Sequence, residues 1–405
     1  MLVKLAWRNL WRNRRRTFIT MAAVSLAAFL SITMMSLQNG VYENMINNTV
    51  GKFTGYVQVH QKGYFDDQVL DNSMTQNADV AATILAHSDV DRVIPRLESF
   101  ALASSGDLSK GAGVVGIDPE LEEPFSGISR RIVEGALFKK GEVAAMIGKD
   151  LGKQLQLGVG DTVVLIGQGY RGATAAGKYV ISALLDFNSP DLNSRIVYLP
   201  LSEAQDMYGA YNLITTYVLQ LGRSDQGDQV VADLTLALDK LGAYEAITWE
   251  TMMPDMVQFI QADKGGNVLI MGILYLIVGF GIFGTVLMMT AERQYEFGIM
   301  VAIGMKKNML SRTIVIETIL ISLLGVILGM VLAFPLVVFF NFNPIKVDSM
   351  AEAYAEFGFE PIFPAIIDPG IFLSQAITVL IIAVIIAFYP ALRLLWLKPV
   401  EAMRA

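Results

Sequence analysis

Two histidines, His60 and His87, and no cysteine occur among 405 residues. That composition excludes a cysteine nucleophile, thiolate metal ligation and a disulfide framework. One histidine falls on an expected strand and the other near an expected helix end, so neither a metal site nor a catalytic base is expected, and both read as solvated surface residues. Glu120, Glu122 and Glu123 likewise read as a solvated acidic face. The phosphate-cradling pattern G-x-x-x-x-G-K-[S/T] does not occur, so no P-loop ATPase is assigned to the chain. Gly279, Gly281 and Gly284 do spell G-x-G-x-x-G, but inside a long apolar run rather than between a strand and a helix. Helix packing or flexing is the expected use there, not nucleotide binding. Gly325 and Gly329 form a small-xxx-small pair that lets backbones approach, either within the chain or across a dimer face. Membrane-embedded ionisable residues are missing apart from Glu317, which sits near a cytoplasmic end just ahead of an apolar stretch, and this disfavours ion-coupled transport.

The elements that must position these residues are mostly apolar. Of all residues, 53% are hydrophobic and 17% charged, against about a quarter charged in soluble domains. Four stretches, Thr17–Tyr42, Gly265–Ala291, Ile319–Ile345 and Pro369–Leu392, are almost free of charge and long enough to span a bilayer. The net charge of −7 hides an asymmetry, because residues 41–265 carry 29 acidic against 17 basic side chains and the remainder is net basic. Lys4, Arg8, Arg12, Arg14, Arg15 and Arg16 precede the first span; Arg293, Lys306, Lys307 and Arg312 follow the second; Arg393, Lys398 and Arg404 follow the fourth. The positive-inside rule makes all three segments cytoplasmic. Between the third and fourth spans Lys346 faces Asp348, Glu352, Glu356, Glu360 and Asp368, which places that stretch outside. The first apolar run is too long for a signal-peptide core and reads as an anchor. Ahead of it Leu2, Leu5, Ala6, Leu10 and Trp11 oppose Lys4, Arg8 and Arg12 at helical spacing, as in a helix lying in the inner interface; an ordinary basic flank is the alternative.

The fold class expected is therefore a membrane protein of four transmembrane α-helices with a large α+β periplasmic domain between helices 1 and 2. Its segments are an interfacial helix at 1–16, helix 1 and a stalk at 17–42, the periplasmic domain at 43–264, helix 2 at 265–291, and a coupling region at 292–312. Helix 3 at 313–340, a periplasmic loop at 341–369, helix 4 at 370–392 and a tail at 393–405 complete the chain.

Within the insert, period-two apolar stretches predict strands at Tyr56–Val59, Val114–Ile117, Thr162–Ile166, Tyr179–Leu184, Ile196–Leu199 and Thr216–Leu221. Helices are predicted at Ala78–Ala86, Lys149–Leu155 and Ser202–Tyr208. Strand 216–221, a helix at Gln226–Leu241 and strand Ala246–Trp249 make a β-α-β unit, and two subdomains are expected to divide near residues 205–215. Met34, Leu37, Val41 and Met45 form one helical stripe, so helix 1 is expected to continue outward as a stalk. Pro254 suits a helix start, after which Met256, Phe259 and Ile260, with Met252 before it, form a second stripe; Gly265 and Gly266 are a candidate joint. Met34, Met35, Leu37, Val41, Met45, Met252, Met256 and Phe259 would line a groove for an amphiphile, since thioethers adapt to irregular acyl chains, or pack one subunit on another.

The run Ala291–Lys307 (AERQYEFGIMVAIGMKK), continuing to Glu317, resembles the signature loop of the MacB-like permeases of ABC transporters, a family that includes the lipoprotein-releasing Lol-type permeases and FtsX. Tyr389–Arg404 (YPALRLLWLKPVEAMR) resembles its closing motif, Ala6–Thr17 (AWRNLWRNRRRT) its opening, and Gly141–Thr162 a stretch of its ectodomain. The resemblance implies a pair of permease subunits, identical or homologous, and a separate ABC ATPase dimer that binds ATP and Mg. No cofactor, metal or catalytic residue is then expected in this chain, and no nucleic acid is expected as partner. It places the chain in a bacterial inner membrane, with both termini cytoplasmic, working by mechanotransmission on a periplasmic carrier or lipoprotein substrate amid membrane lipids. It also assigns the coupling element: Glu292, Arg293, Tyr295, Glu296, Phe297, Gly298, Ile299, Gly304 and Lys306. In that reading Glu292, Arg293 and Glu296 pair across a polar rim while Tyr295, Phe297 and Ile299 fill an apolar slot of the ATPase; orienting the loop at the membrane is the alternative use of its charges. Gln168–Lys178, with Tyr170 and Arg171 at its tip, corresponds to a partner-recruiting hairpin of Lol-type permeases and is a reduced contact loop or a turn. An FtsX-like regulator of cell-wall hydrolases and an efflux permease for drugs or peptides are the alternatives.

Overall fold

The computed structural model describes residues 2–12, 14–187, 189–223, 226–347 and 362–396. The acidic residues at 348, 352, 356 and 360 and the closing motif beyond Trp396 lie outside them. Helix α1 covers Leu2–Arg12 and α2 covers Arg14–Thr49, ending in a π-helical turn at Val50–Thr54. Then follow β1 (Val57–Gln61), β2 (Met74–Thr75), α3 (Ala78–Leu85), β3 (Val90–Ser105), β4 (Leu108–Ile117), α4 (Pro119–Ser126), β5 (Ile132–Gly135), β6 (Ala144–Gly148) and α5 (Lys149–Leu155). The domain continues through β7 (Thr162–Gln168), β8 (Thr174–Leu185), α6 (Pro190–Arg195), β9 (Ile196–Pro200), α7 (Leu201–Tyr208), β10 (Leu213–Ile214), β11 (Thr216–Leu221), α8 (Gly227–Leu238), β12 (Tyr244–Thr248) and α9 (Trp249–Met252). Helices α10 (Pro254–Glu292), α11 (Gln294–Ala302) and α12 (Lys307–Phe342), the short pair β13 (Ile345–Lys346) and β14 (Ile362–Phe363), and α13 (Pro369–Leu395) close the chain.

Two compact units result, one of residues 1–42, 259–346 and 362–405, the other of 43–258 and 347–361. In the first, α2, α10, α12 and α13 are each long and apolar enough to cross a membrane. Their shared core gathers Val24, Ala28, Ile32, Val286, Val326, Ala333, Phe372, Val379 and Ala383. Gly325 and Gly329 serve packing inside the chain: a Cβ would lie 2.8 Å from Val24 Cβ at the first and 2.6 Å from the Ser25 carbonyl at the second. The two glycines therefore let α12 approach α2 closely. Gly281 and Gly284 face open space in mid-helix, and Gly265 and Gly266 lie within unbroken α10, so no joint forms there. Only 17% of the most apolar window of α10 is covered by the rest of the chain, against 39% for α2. Val268, Leu269, Ile273, Ile277 and Phe280 are consequently exposed.

In the second unit a mixed sheet runs in the order β12-β1-β11-β3-β4-β9-β6-β8-β5, with β7 pairing both β3 and β8. Every predicted strand and helix of the insert is present within a few residues. The 16-residue β3 is the organising element: its first half pairs β11, its second half pairs β4 and β7. The expected division at 205–215 takes a different form, because β11 after that point returns to pair with β3 before it. One lobe is thus built from both ends of the insert, with Val59, Val80, Ile84, Tyr217, Leu219, Val230 and Leu234 in its core. The middle of the chain forms another around Leu97, Val114, Ile147, Leu165, Ile181 and Val197. Antiparallel pairing across a long loop is a nonlocal choice that linear punctuation does not encode.

Candidate functional site

Helix α11 is positioned by three neighbours in sequence. Glu292 ends α10, Arg293 makes the turn, and Gly304, at φ +110°, supplies a left-handed turn before α12. Phe297 is 1% exposed and packs with Leu310, Ile314 and Leu394. That corrects the expectation that it fills a slot in another protein; it is the side chain that seats α11 on its own membrane unit. Gly298 is buried beside it, while Ile299 is half-buried. Tyr295 and Ile303 remain outward at 54% and 81% exposure, and Glu292, Gly304 and Lys306 are also exposed. Ile303, which sequence reasoning passed over, follows Tyr295 and Ile299 on the same helical side, and that spacing was the available signal.

Charge fixes the other side of the helix. The Arg293 guanidinium donates to Glu317 at 2.8 Å, lies 3.5 Å from Glu296, and sits over the Phe297 ring at 5.1 Å. Glu317, only 2% exposed at its side chain, also accepts from Asn9 of α1 at 2.5 Å. Glu296 pairs with Arg12 at the end of α1. Arg293 is therefore an internal anchor rather than a rim residue, and Glu317 is the acceptor that joins α1, α11 and α12. Around the joint Leu10, Met289 and Ile321 form a small apolar cluster.

At the other end of the same unit, Asp263 of α10 accepts from Tyr42 Oη at 2.5 Å and Gln38 Nε2 at 2.9 Å of α2, with Lys264 over the Tyr42 ring at 5.5 Å. Beside it Gly40 approaches the 362–368 segment, and a Cβ there would sit 2.1 Å from the Pro364 carbonyl. The methionine stripes divide by burial: Met34 is 41% exposed, Met35, Leu37, Val41, Met252 and Phe259 are half-buried, and Met45 and Met256 are buried. Asn267 Nδ2 lies 3.7 Å from the Met35 sulfur.

In the periplasmic-type unit three expectations change. Glu122 is not solvated but fully buried, taking Arg96 Nε at 3.0 Å and Nη2 at 2.7 Å; Arg96 also donates to the Phe53 carbonyl. Burial opposes the Arg96 charge, but Glu122, aided by Tyr198 and Glu98, leaves its pKa raised. His60 is 3% exposed, hydrogen-bonded through Nδ1 to the Thr215 carbonyl and stacked on Tyr64. Burial lowers its pKa to about 4, so it is neutral at ordinary pH. His87 stays near the surface beside Asp233 at 3.3 Å. The stretch 168–178 is mostly strand: only residues 169–173 leave β7 and β8, Tyr170 packs partly on the core, and the Arg171 backbone N–H is held by Asp71 at 2.6 Å.

The sequence matches the model of the MacB-like periplasmic core domain over residues 17–237 and that of the FtsX-like permease C-terminal region over 268–399. The chain belongs to the MacB and FtsX-like permease family. Permeases of this family are membrane components of ABC transporters and work with an ABC ATPase. Among relatives, the lipoprotein-releasing system transmembrane protein LolC of Xylella fastidiosa is 21% identical, over 97% of this chain and 95% of its own. The macrolide export ATP-binding/permease protein MacB of Agrobacterium fabrum is 20% identical over 99% of this chain, which spans 60% of that longer protein. The pyoverdine export ATP-binding/permease protein PvdT of Pseudomonas aeruginosa is 23% identical over 82% of this chain and 50% of its own. A crystal structure of the periplasmic region of MacB from Actinobacillus actinomycetemcomitans aligns over 52% of this chain at 15% identity and a TM-score of 0.36. In this MacB/LolC-type permease α11 lies within the run Ala291–Lys307.

Proposed function

We propose that this permease couples ATP hydrolysis by a separate ATPase subunit to work at the outer face of the membrane, extracting lipoproteins or another amphiphile by movement of its helices. The observation that carries the reading is the construction of α11: an outward side of Tyr295, Ile299 and Ile303, and an inward side tied through Arg293, Glu296 and Glu317 to α1 and α12. A push on the outward side is passed to two other elements, because Phe297 and the charged joint leave α11 little freedom to move alone. Both termini and α11 are cytoplasmic in this reading, as the basic residues around them favour. The Tyr42–Asp263 clasp lies at the opposite ends of α2 and α10, where a stroke would be delivered. Lipoprotein is preferred as cargo because the LolC relative is matched over nearly the full length of both chains.

The test is reconstitution in lipid with its ABC ATPase and a labelled lipoprotein, measuring ATP-dependent release into the soluble fraction. Release that disappears in Glu296→Lys is the expected result. ATP hydrolysis with no release from the wild type would sink lipoprotein extraction and turn attention to small-molecule export or to a regulatory role on a periplasmic hydrolase.

A further inference from the structure

Lys4, Arg8 and Arg12 stand at i, i+4 and i+8 on α1, and all three are exposed. Trp7 and Trp11 flank them, also exposed, with rings edge to face at 5.8 Å; Phe18 extends the row 6.3 Å from Trp11. The remaining side of the helix is occupied by protein: Ala6 and Leu10 are buried and Asn9 holds Glu317. A helix with a cationic row beside aromatic rings has the chemistry of an element lying in a bilayer interface. A row of three cations favours acidic over zwitterionic head groups. Arg12 belongs to this row and to the Glu296 pair at once. Both partners of that pair are well exposed, at 58% and 44%, so it is weak and readily exchanged. Glu296 has Arg293 as a second cation 3.5 Å away and is not left without one if Arg12 departs.

We propose that α1 binds the phosphate head groups of acidic phospholipids along Lys4, Arg8 and Arg12, and that these phosphates compete with Glu296 for Arg12. The acidic lipid content around α1 then sets how firmly α11 is tethered to α1. Arg293, which keeps its hold on Glu317, preserves the rest of the joint in either state. This inference rests on the cytoplasmic placement and coupling role given to α11 under Proposed function.

The full chain carrying Trp249→Phe and Trp396→Phe, which leaves Trp7 and Trp11 as its only tryptophans, is placed in vesicles of phosphatidylcholine and phosphatidylglycerol with bromines on the acyl chains of one lipid or the other. Mole for mole, brominated phosphatidylglycerol should quench about threefold more strongly. Lys4→Gln with Arg8→Gln should remove most of that preference, and Glu296→Gln, which frees Arg12, should increase it. Equal quenching by the two lipids, or a preference that survives loss of all three cations, overturns acidic-lipid binding. An unchanged preference in Glu296→Gln overturns the competition. Loss of the preference on adding inorganic phosphate at constant ionic strength would mean that a soluble anion is taken instead, and also overturns the lipid assignment. The readout uses neither nucleotide nor cargo, so a normal lipid preference beside absent ATP-driven release would identify a failure of the coupling reading alone.

Discussion

Among the described residues, two buried carboxylate–guanidinium pairs, Arg96–Glu122 and Arg293–Glu317, are built differently. In the periplasmic-type unit Arg96 and Glu122 are both wholly enclosed, doubly hydrogen-bonded, and flanked by the Phe53 and Phe125 rings at 5.6 and 5.5 Å, with Glu98 of the same strand as Arg96 a second carboxylate 3.6 Å away. In the membrane unit Arg293 and Glu317 are nearly enclosed but shared: Asn9 claims one side of Glu317, and Glu296 leads from Arg293 out to Arg12 at the surface. The first pair holds one domain in register, because both carboxylates around Arg96 come from β3 and α4 alone. A shared pair can pass load or exchange partners, because each member retains a bond when another is lost. The comparison separates an ionic bond within one domain from one that joins three helices.

The largest effect should come from breaking the first pair. Glu122→Ala takes the doubly bonded carboxylate from fully buried Arg96, leaving only Glu98 at 3.6 Å, and should destabilise the periplasmic-type unit by about 3 kcal/mol, read as a lowered unfolding midpoint of the purified chain. His60 gives that unit a second signature. Its folded pKa of about 4 lies below the ordinary value of 6.5, so its neutral, buried form contributes stability that is complete above pH 6.5. That contribution is lost as pH falls toward 4, amounting to roughly 3 kcal/mol over the interval. Unfolding of the wild type and His60→Asn compared across that range should show this part of the slope vanish in the variant. In the second pair, Glu317→Gln should cost less, about 1–2 kcal/mol, because glutamine keeps a carbonyl acceptor for Arg293 and Arg293 keeps Glu296. ATP-driven release should nonetheless fall about tenfold or more if the joint transmits the stroke. A stability loss in Glu317→Gln as large as in Glu122→Ala would erase the distinction. The smallest change in stability, within about 0.5 kcal/mol, is expected for the exposed Ile303→Ser. Its expected consequence is weaker association with the ATPase, measured by co-purification, with the fold unchanged.

Much of the architecture was legible because it is local. The four spans follow from uninterrupted apolar runs, and α10 begins at Pro254 where the residue type favours a helix start. Strands such as Thr216–Leu221 follow from alternation. The coupling element was legible as a motif, but its inward and outward sides were not: Tyr295, Phe297 and Ile299 look alike as apolar residues, and only packing against Leu310 and Ile314 turns Phe297 inward. Ile303 was missed because it follows the helix, in the turn before Gly304.

The sequence by itself determined which helices are long and apolar enough to cross a membrane, which segments form sheet and helix, and which family the cytoplasmic motifs resemble, since these depend on composition and on periods of two or three to four residues. The tertiary structure alone decided the partners. Glu122 lies 26 residues from Arg96, Glu317 lies 308 residues from Asn9, and the His60 ring finds its acceptor 155 residues away. Whether a carboxylate or imidazole is solvated or buried depends on which distant group arrives beside it, and desolvation makes that arrival decisive: a charge enclosed without its partner costs more than the segment's own propensity can offset.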